Sequence, residues 1–249
     1  MAGHSKFKNI QHRKGAQDAK RGKLFNKIGR EITVAVKEGG DNPDMNPRLR
    51  AAIINARFNN MPNDRVQRAT KAGAGPADGA AFENIRYEGY GPCGVAILVD
   101  TLTDNRNRTA SDVRSSFSKY GGNMGEAGSV AFTFQRLGQI TYPLKVANAD
   151  AMFEAAVNAG ADNVETDDDQ HIISTIFETF NAVQDALQKQ FGEAANAQIT
   201  WLPLNLSPIA GDDAKMLFKL IDSLEDLDDV QQVYTNFDID AEELEKLAA

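Results

Sequence analysis

The sequence predicts an α+β multidomain chain: an N-terminal three-helix domain followed by two α+β domains, the third inserted in the second. Three observations predict it. Before residue 75 the apolar residues recur at helical spacing, in three separate stripes. After a glycine- and alanine-rich linker at 72–79 the pattern changes to alternation and short apolar runs, as in strands. Between 138 and 206 the elements follow the order β-α-β-β-α-β, a module complete in itself, and the helix and strand after it need another sheet to rest on.

The elements are justified in order. Leu24, Ile28, Ile32 and Val36 recur every four residues and make the first helical stripe, with Lys23, Lys27 and Arg30 away from it, until Gly39-Gly40 stops the helix. Asn46-Pro47 starts the second helix, since a first-turn proline loses no hydrogen bond, and Leu49, Ala52, Ile53 and Ala56 form its stripe. Pro62 opens the third, with Val66 and Ala69 inward and Arg65, Arg68 and Lys71 facing solvent. Residues 1–75 are thus a basic helical domain. Strands are predicted at 85–90 and 95–102, a helix at 111–120 with Val113 and Phe117 on one face, and a strand at 130–134.

The next domain, 138–206, starts with a strand at 140–142. A helix follows at 149–159, with Met152, Phe153, Ala156 and Val157 as its apolar residues. Strands at Val164 and at 172–177 flank an acidic turn, and a helix at 180–191 leads to a strand at 198–204. This order is that of the ferredoxin-like split βαβ fold. The remaining helix at 214–224 and strand at 230–237 cannot form a domain alone. They are placed back on the earlier sheet, so that 80–135 plus 210–240 is one discontinuous α+β domain.

Charge supplies the first functional clue. The 249 residues carry a net charge of −8, which as an average argues against nucleic acid. The average hides a division: residues 1–75 hold 16 Lys and Arg against 6 Asp and Glu, a charge of +10, and the rest carries −18. A basic binding module attached to an acidic body is implied. The basic arm is Lys6, Lys8, His12, Arg13, Lys14, Lys20, Arg21, Lys23, Lys27 and Arg30, joined by Arg65 and Arg68 on the third helix. Phosphate contacts need this charge but little fixed geometry. No run approaches the roughly 18 apolar residues of a membrane span, and no secretory leader is visible. Cys93 is the sole cysteine, which excludes an intramolecular disulfide and a cysteine-based zinc site and fits a reducing cytoplasm.

Other motifs point away from catalysis. Gly89-Tyr90-Gly91-Pro92-Cys93-Gly94 satisfies G-x-G-x-x-G, but the apolar run from Val95 is a strand where a dinucleotide site needs a helix, so a tight β-turn is predicted. His4 and His12 sit in the basic arm, and His171 follows three aspartates at a turn and is expected to be exposed. Asp167-Asp168-Asp169 lacks the glycine and distal glutamate of a calcium loop and reads as a solvated hairpin turn. At 104–109, Asn107 or Thr109 can cap a helix, or Arg106 and Arg108 at a helix start can hold an anion; the two readings use the same geometry. The loop of Arg106 and Arg108 and the glycine-rich loop 121–128, which can project a tip around Met124 with Gly122 and Gly125, are candidate effector loops for a large partner.

The sequence resembles the YebC/PmpR family, which includes mitochondrial translational activators. The resemblance lies in Met1-Ala2-Gly3-His4-Ser5-Lys6, His12-Arg13-Lys14, Gln17-Asp18-Ala19-Lys20-Arg21-Gly22-Lys23 and Arg30-Glu31-Ile32-Thr33-Val34-Ala35. It continues in Asn60-Met61-Pro62, Tyr87-Glu88-Gly89-Tyr90-Gly91-Pro92, Thr103-Asp104-Asn105-Arg106-Asn107-Arg108-Thr109 and Gly121-Gly122-Asn123-Met124-Gly125-Glu126. Phe7 stands where the family commonly has Trp, and Cys93 where it commonly has Gly. The resemblance implies three domains, a cytoplasmic setting, no catalytic residues, and action on DNA in transcription or at the ribosome in translation. The resulting expectation is a non-enzymatic, nucleic-acid-binding regulator of gene expression: a DNA-binding transcriptional regulator, with a ribosome-associated translation factor on ribosomal RNA as the alternative. No cofactor, metal, membrane or small-molecule substrate is expected.

Overall fold

A computed structural model of the chain describes residues 17–75, 81–240 and 243–244, with side chains from residue 21 onward. Helix α1 runs Gln17–Gly39 and buries Phe25, Ile28, Ile32, Ala35 and Val36. Leu24 is only half-buried, because Phe25 takes the inward place that the four-residue spacing assigns to Leu24. Gly40, at φ 84°, ends the helix and donates its N–H to the Val36 carbonyl at 2.8 Å. Helix α2, Pro47–Phe58, is capped by Asn46, whose carboxamide oxygen accepts from the Leu49 N–H at 3.0 Å. The Asn46 amide donates to the carbonyls of Ala35 and Gly40, at 2.7 and 2.8 Å, and so fastens α2 to the end of α1. The buried residues of α2 are Leu49, Ala52, Ile54 and Ala56, with Ile54 in the inner place predicted for Ile53.

Helix α3, Asn63–Ala74, follows Pro62 as predicted. Gly73, read in the sequence as linker, is instead a contact residue of α3. A Cβ there would lie 2.6 Å from both the Thr33 carbonyl oxygen and Val36 Cβ, so only glycine lets α3 approach α1 this closely.

Strands β1, Glu83–Tyr90, and β2, Ala96–Thr103, pair antiparallel. Between them Pro92–Gly94 forms a single 3-10 turn, with Gly94 at φ 72° and the Gly91 N–H donating to the Val95 carbonyl at 2.8 Å. The G-x-G-x-x-G stretch is thus a tight turn between strands. Helix α4, Arg106–Lys119, begins five residues before the predicted start, and Val113 and Phe117 are fully buried. Strand β3, Asn123–Met124, pairs with Gly89 and Tyr90 of β1. The strand expected at 130–134 is not formed: Ala131–Thr133 is a 3-10 turn.

Strand β4 then runs Phe134–Pro143, followed by α5 at Ala149–Ala159, β5 at Asn163–Thr166, β6 at Gln170–Ile176, α6 at Phe180–Phe191 and β7 at Asn196–Pro203. The sheet order is β5-β6-β4-β7, with β6 antiparallel to both neighbours, which is the ferredoxin-like arrangement. Its core joins Ile140, Tyr142 and Ile173 of the sheet to Met152, Val183 and Leu187 of the helices. Gly138 lies under Phe180, where a Cβ would come within 2.1 Å of the ring. Of the apolar residues of α5, Met152 and Ala156 face inward with Ala155, whereas Phe153 and Val157 point outward.

Beyond β7, strand β8 is Ser207–Pro208, α7 spans Gly211–Glu225, β9 is Val230–Thr235 and β10 is Phe237–Asp238. Strand β9 joins the first sheet in the order β3-β1-β2-β9, and β10 pairs with β8. The return of the chain to that sheet makes the ferredoxin-like segment an insertion. Val95, Ile97 and Val99 pack with Phe117 of α4 and with Leu217, Leu220, Ile221 and Leu224 of α7 in one core. The chain divides into two compact units. One gathers described residues up to Lys27, those of 77–135 and those from 203 onward; the other gathers 28–76 and 136–202.

Candidate nucleic-acid interface

Of the predicted phosphate-binding residues, Lys6, Lys8, His12, Arg13 and Lys14, and the side chain of Lys20, lie outside the described residues. Arg21 is exposed on α1 and Arg30 is half-buried. Lys23 pairs with Asp226 at 3.1 Å; both side chains are about half exposed, so a competing phosphate can displace the pair at little cost. Lys27 corrects the expectation. It is buried, and its ammonium donates to the Glu225 carbonyl at 2.5 Å, at the end of α7. Burial lowers its pKa, against the opposing pull of Glu225, Asp228 and Asp226. Lys27 is an anchor of α1, and its charge is spent on the C-terminal carbonyls of α7.

Helix α3 carries the clearest basic face among the described residues. Arg65, Arg68 and Lys71 recur every third residue and are exposed, while Val66, Ala69 and Gly73 turn the other way. Arg68 bridges to Asp64 at 2.6 Å, one turn back, with both side chains about two-thirds exposed. Such pairs hold a surface side chain only loosely. Another arginine of this domain is committed. Arg48 grips Glu31 at 2.7 Å and Glu38 at 2.6 Å, and its guanidinium is held charged far beyond its ordinary range, the hydrogen bond to Glu31 being the largest cause. Arg57 pairs with Glu193 at 2.8 Å, with both side chains half or more exposed, so this pair is loose like that of Arg68.

At the start of α4 the structure shows the cap. Asn105, a residue the sequence did not single out, is the cap: its side chain accepts from the Arg108 N–H at 3.1 Å. Thr109 is buried and donates inward to Asp229 at 2.7 Å. Arg108 is engaged by Asp229 at 2.7 Å and Asp104 at 2.8 Å, which hold its guanidinium charged well above its ordinary range, Asp229 first. The pair of carboxylates takes up the charge that an anion would need. Arg106 is exposed, and its carbonyl accepts from the Tyr87 hydroxyl at 3.2 Å.

The glycine-rich loop does not project Met124. Strand β3 pairs Met124 with Gly89, and the side chain, half-buried, packs against the core of the first unit. Gly122 and Gly125 serve packing. A Cβ on Gly122 would lie 2.7 Å from the Tyr90 carbonyl oxygen, and one on Gly125 2.6 Å from Ser129 Oγ. The rest of the loop is organised by a residue that sequence reasoning passed over. Glu88 is buried, and its carboxylate accepts the N–H groups of Gly128, Val130 and Ala131, each at 2.8 Å. Burial pushes this carboxyl up, but the amides of Val130, Gly128 and Ala131 outweigh burial and hold it below its ordinary value. A charged residue on a strand otherwise read as alternating was the available signal.

The remaining reactive side chains have structural work. His171, expected to be exposed, is 1% exposed, because β6 carries it into the core, where its ring nitrogens meet Thr166 Oγ1 and the Ala147 carbonyl, each at 2.9 Å. The Cys93 thiol lies 3.1 Å from Asp213, whose carboxylate, with some burial, pushes it up. Asp167 closes its hairpin by accepting the N–H groups of Asp169 and Gln170, each at 2.8 Å, so the acidic turn is the solvated turn predicted. Among the described residues no His, Cys, Asp and Glu cluster is placed to hold a metal ion, and no helix is long and apolar enough to cross a membrane.

Comparison with known proteins covers nearly the whole chain. Residues 5–76 match the model of the TACO1/YebC protein N-terminal domain, and residues 82–237 match that of the TACO1/YebC second and third domain, Transcrip_reg. Among solved structures, the chain is similar to a crystal structure of a conserved hypothetical protein from Aquifex aeolicus. The two are 46% identical, the match covers 93% of this chain and 96% of that one, and the TM-score is 0.80.

Proposed function

Since this chain belongs to the TACO1/YebC family, a family of regulators, we propose that it is a non-enzymatic regulator that docks on nucleic acid through its N-terminal helical domain. In this reading it is a cytoplasmic, DNA-binding transcriptional regulator. One observation carries the reading: the exposed Arg65, Arg68 and Lys71 face of α3 belongs to a segment of charge +10 in a chain whose remainder is −18. Such a partition draws polyanions to one domain and repels them from the rest.

Phosphate-directed side chains fit structured RNA as well as duplex DNA, so ribosomal RNA is the second reading. Crosslinking the protein in cells and sequencing the bound DNA and RNA separates the two. Enrichment of promoters is the expected result. Dominance of ribosomal RNA moves the assignment to translation, and recovery of neither overturns nucleic-acid binding.

A further inference from the structure

Helix α5 has apolar side chains on two sides. Met152, Ala155 and Ala156 enter the core of the ferredoxin-like segment, whereas Phe153 and Val157 point outward, 56% and 50% exposed. At i and i+4 they lie one above the other and form a short stripe on one helix face. Single exposed apolar residues are ordinary, but an aromatic and a branched residue side by side make one contiguous apolar stripe, which gains by being covered. The charges of the helix itself are one-signed. Asp150 and Glu154 are exposed on the same helix, which has no Lys or Arg. Over residues 138–206 there are ten Asp and Glu against two Lys and no Arg, a charge of −8.

This charge selects the occupant. Nucleic acid is repelled, and a second copy of the segment would bring like charges together. An apolar stripe flanked along one side by carboxylates complements a helix with leucine-type residues on one side and Lys or Arg beside them. We propose that the outer face of α5 docks a Lys/Arg-rich amphipathic helix of a partner protein, with Phe153 and Val157 as apolar anchors and Asp150 and Glu154 as the electrostatic flank.

The test uses the full chain and a labelled synthetic helix of about 18 residues, built only of Leu and Lys with leucines at i, i+3, i+4 spacing. A peptide of the same composition in scrambled order controls for bulk charge attraction. Fluorescence anisotropy should show the amphipathic peptide binding at least about tenfold more tightly than the scrambled one. The Phe153→Ala, Val157→Ala protein should lose that advantage and keep its melting temperature. The Asp150→Asn, Glu154→Gln protein should bind severalfold more weakly, with a flatter dependence on salt. If the double apolar variant melts lower, the single change Phe153→Gln is read in the same way. Undiminished amphipathic binding by a folded apolar variant overturns the proposal. So does a dimer in sedimentation that Phe153→Gln converts to monomer, because the occupant is then a second copy.

Discussion

Arg108 and Asp229, 121 residues apart in sequence, meet at 2.7 Å between the guanidinium and one carboxylate oxygen. That same oxygen accepts from the hydroxyls of Thr109 and Thr103, at 2.7 and 3.1 Å, and the Asp229 carbonyl accepts the Leu102 N–H at 2.8 Å. A single buried aspartate thus joins the end of β2, the first turn of α4 and the turn before β9. It holds the returning C-terminal segment to the sheet that the insertion interrupted.

Replacing Asp229 with Ala should therefore be costly. Two buried hydroxyls lose a carboxylate acceptor and the guanidinium keeps only Asp104, a combined loss of about 3 kcal/mol in urea unfolding. Arg108→Ala should cost less, since that side chain is nearly half exposed. A change of under about 0.5 kcal/mol for Asp229→Ala, the range of a surface substitution, would contradict the joining role.

Glu88 gives a pH-dependent prediction. Its carboxyl is held below its ordinary value, so its ionised form stabilises the fold above the unfolded-state pKa of about 4.3, and this contribution disappears as pH falls through the depressed native value. Glu88→Gln should lower stability by about 2 kcal/mol at neutral pH, where charged hydrogen bonds to three amides are lost. The gap between the two proteins should narrow toward pH 3, as measured by melting at both pH values. A gap independent of pH would show that the charge on Glu88 has no part in holding the loop.

Met124 is half-buried and packs against the core, so Met124→Ala should destabilise by about 1 kcal/mol and lower the melting temperature by a few degrees. Asn123 is exposed beside it, and Asn123→Ala should leave melting unchanged. Equal melting of Met124→Ala and the parent would return Met124 to the surface.

The basic face of α3 is open to test without disturbing the core. The Arg65→Ala, Arg68→Ala, Lys71→Ala protein should melt like the parent and bind duplex DNA more weakly for every sequence. Each lost phosphate contact should reduce the log–log salt slope by about 0.9. An unchanged slope would make this face merely solvated. Point changes suit the question better than deletion of residues 1–75, which would remove the buried Phe25, Lys27 and Ile32 as well.

Local periodicity and turn chemistry made most of the elements legible. Asn46-Pro47 and Pro62 marked two helix starts, the order of elements over 138–206 marked the ferredoxin-like insertion, and Val95 after Gly94 excluded a dinucleotide loop. These depend on neighbours within about one helical turn or one hairpin, where the physical preferences of backbone and side chain act directly.

The sequence alone determined that a basic helical segment precedes an acidic α+β body, because charge and periodicity are properties of the chain itself. Only the tertiary structure decided which charges remain available. Lys27 and Lys23 lie on the same helix, yet Glu225 and Asp226, some two hundred residues on, bury one and loosely pair the other. His171, expected at the surface, is interior for the same reason: periodicity names a face, but the elements packed against it decide whether that face is interior. Asp229 gave no local signal, since its donors Thr103, Arg108 and Thr109 come within reach only once β9 has returned to β2.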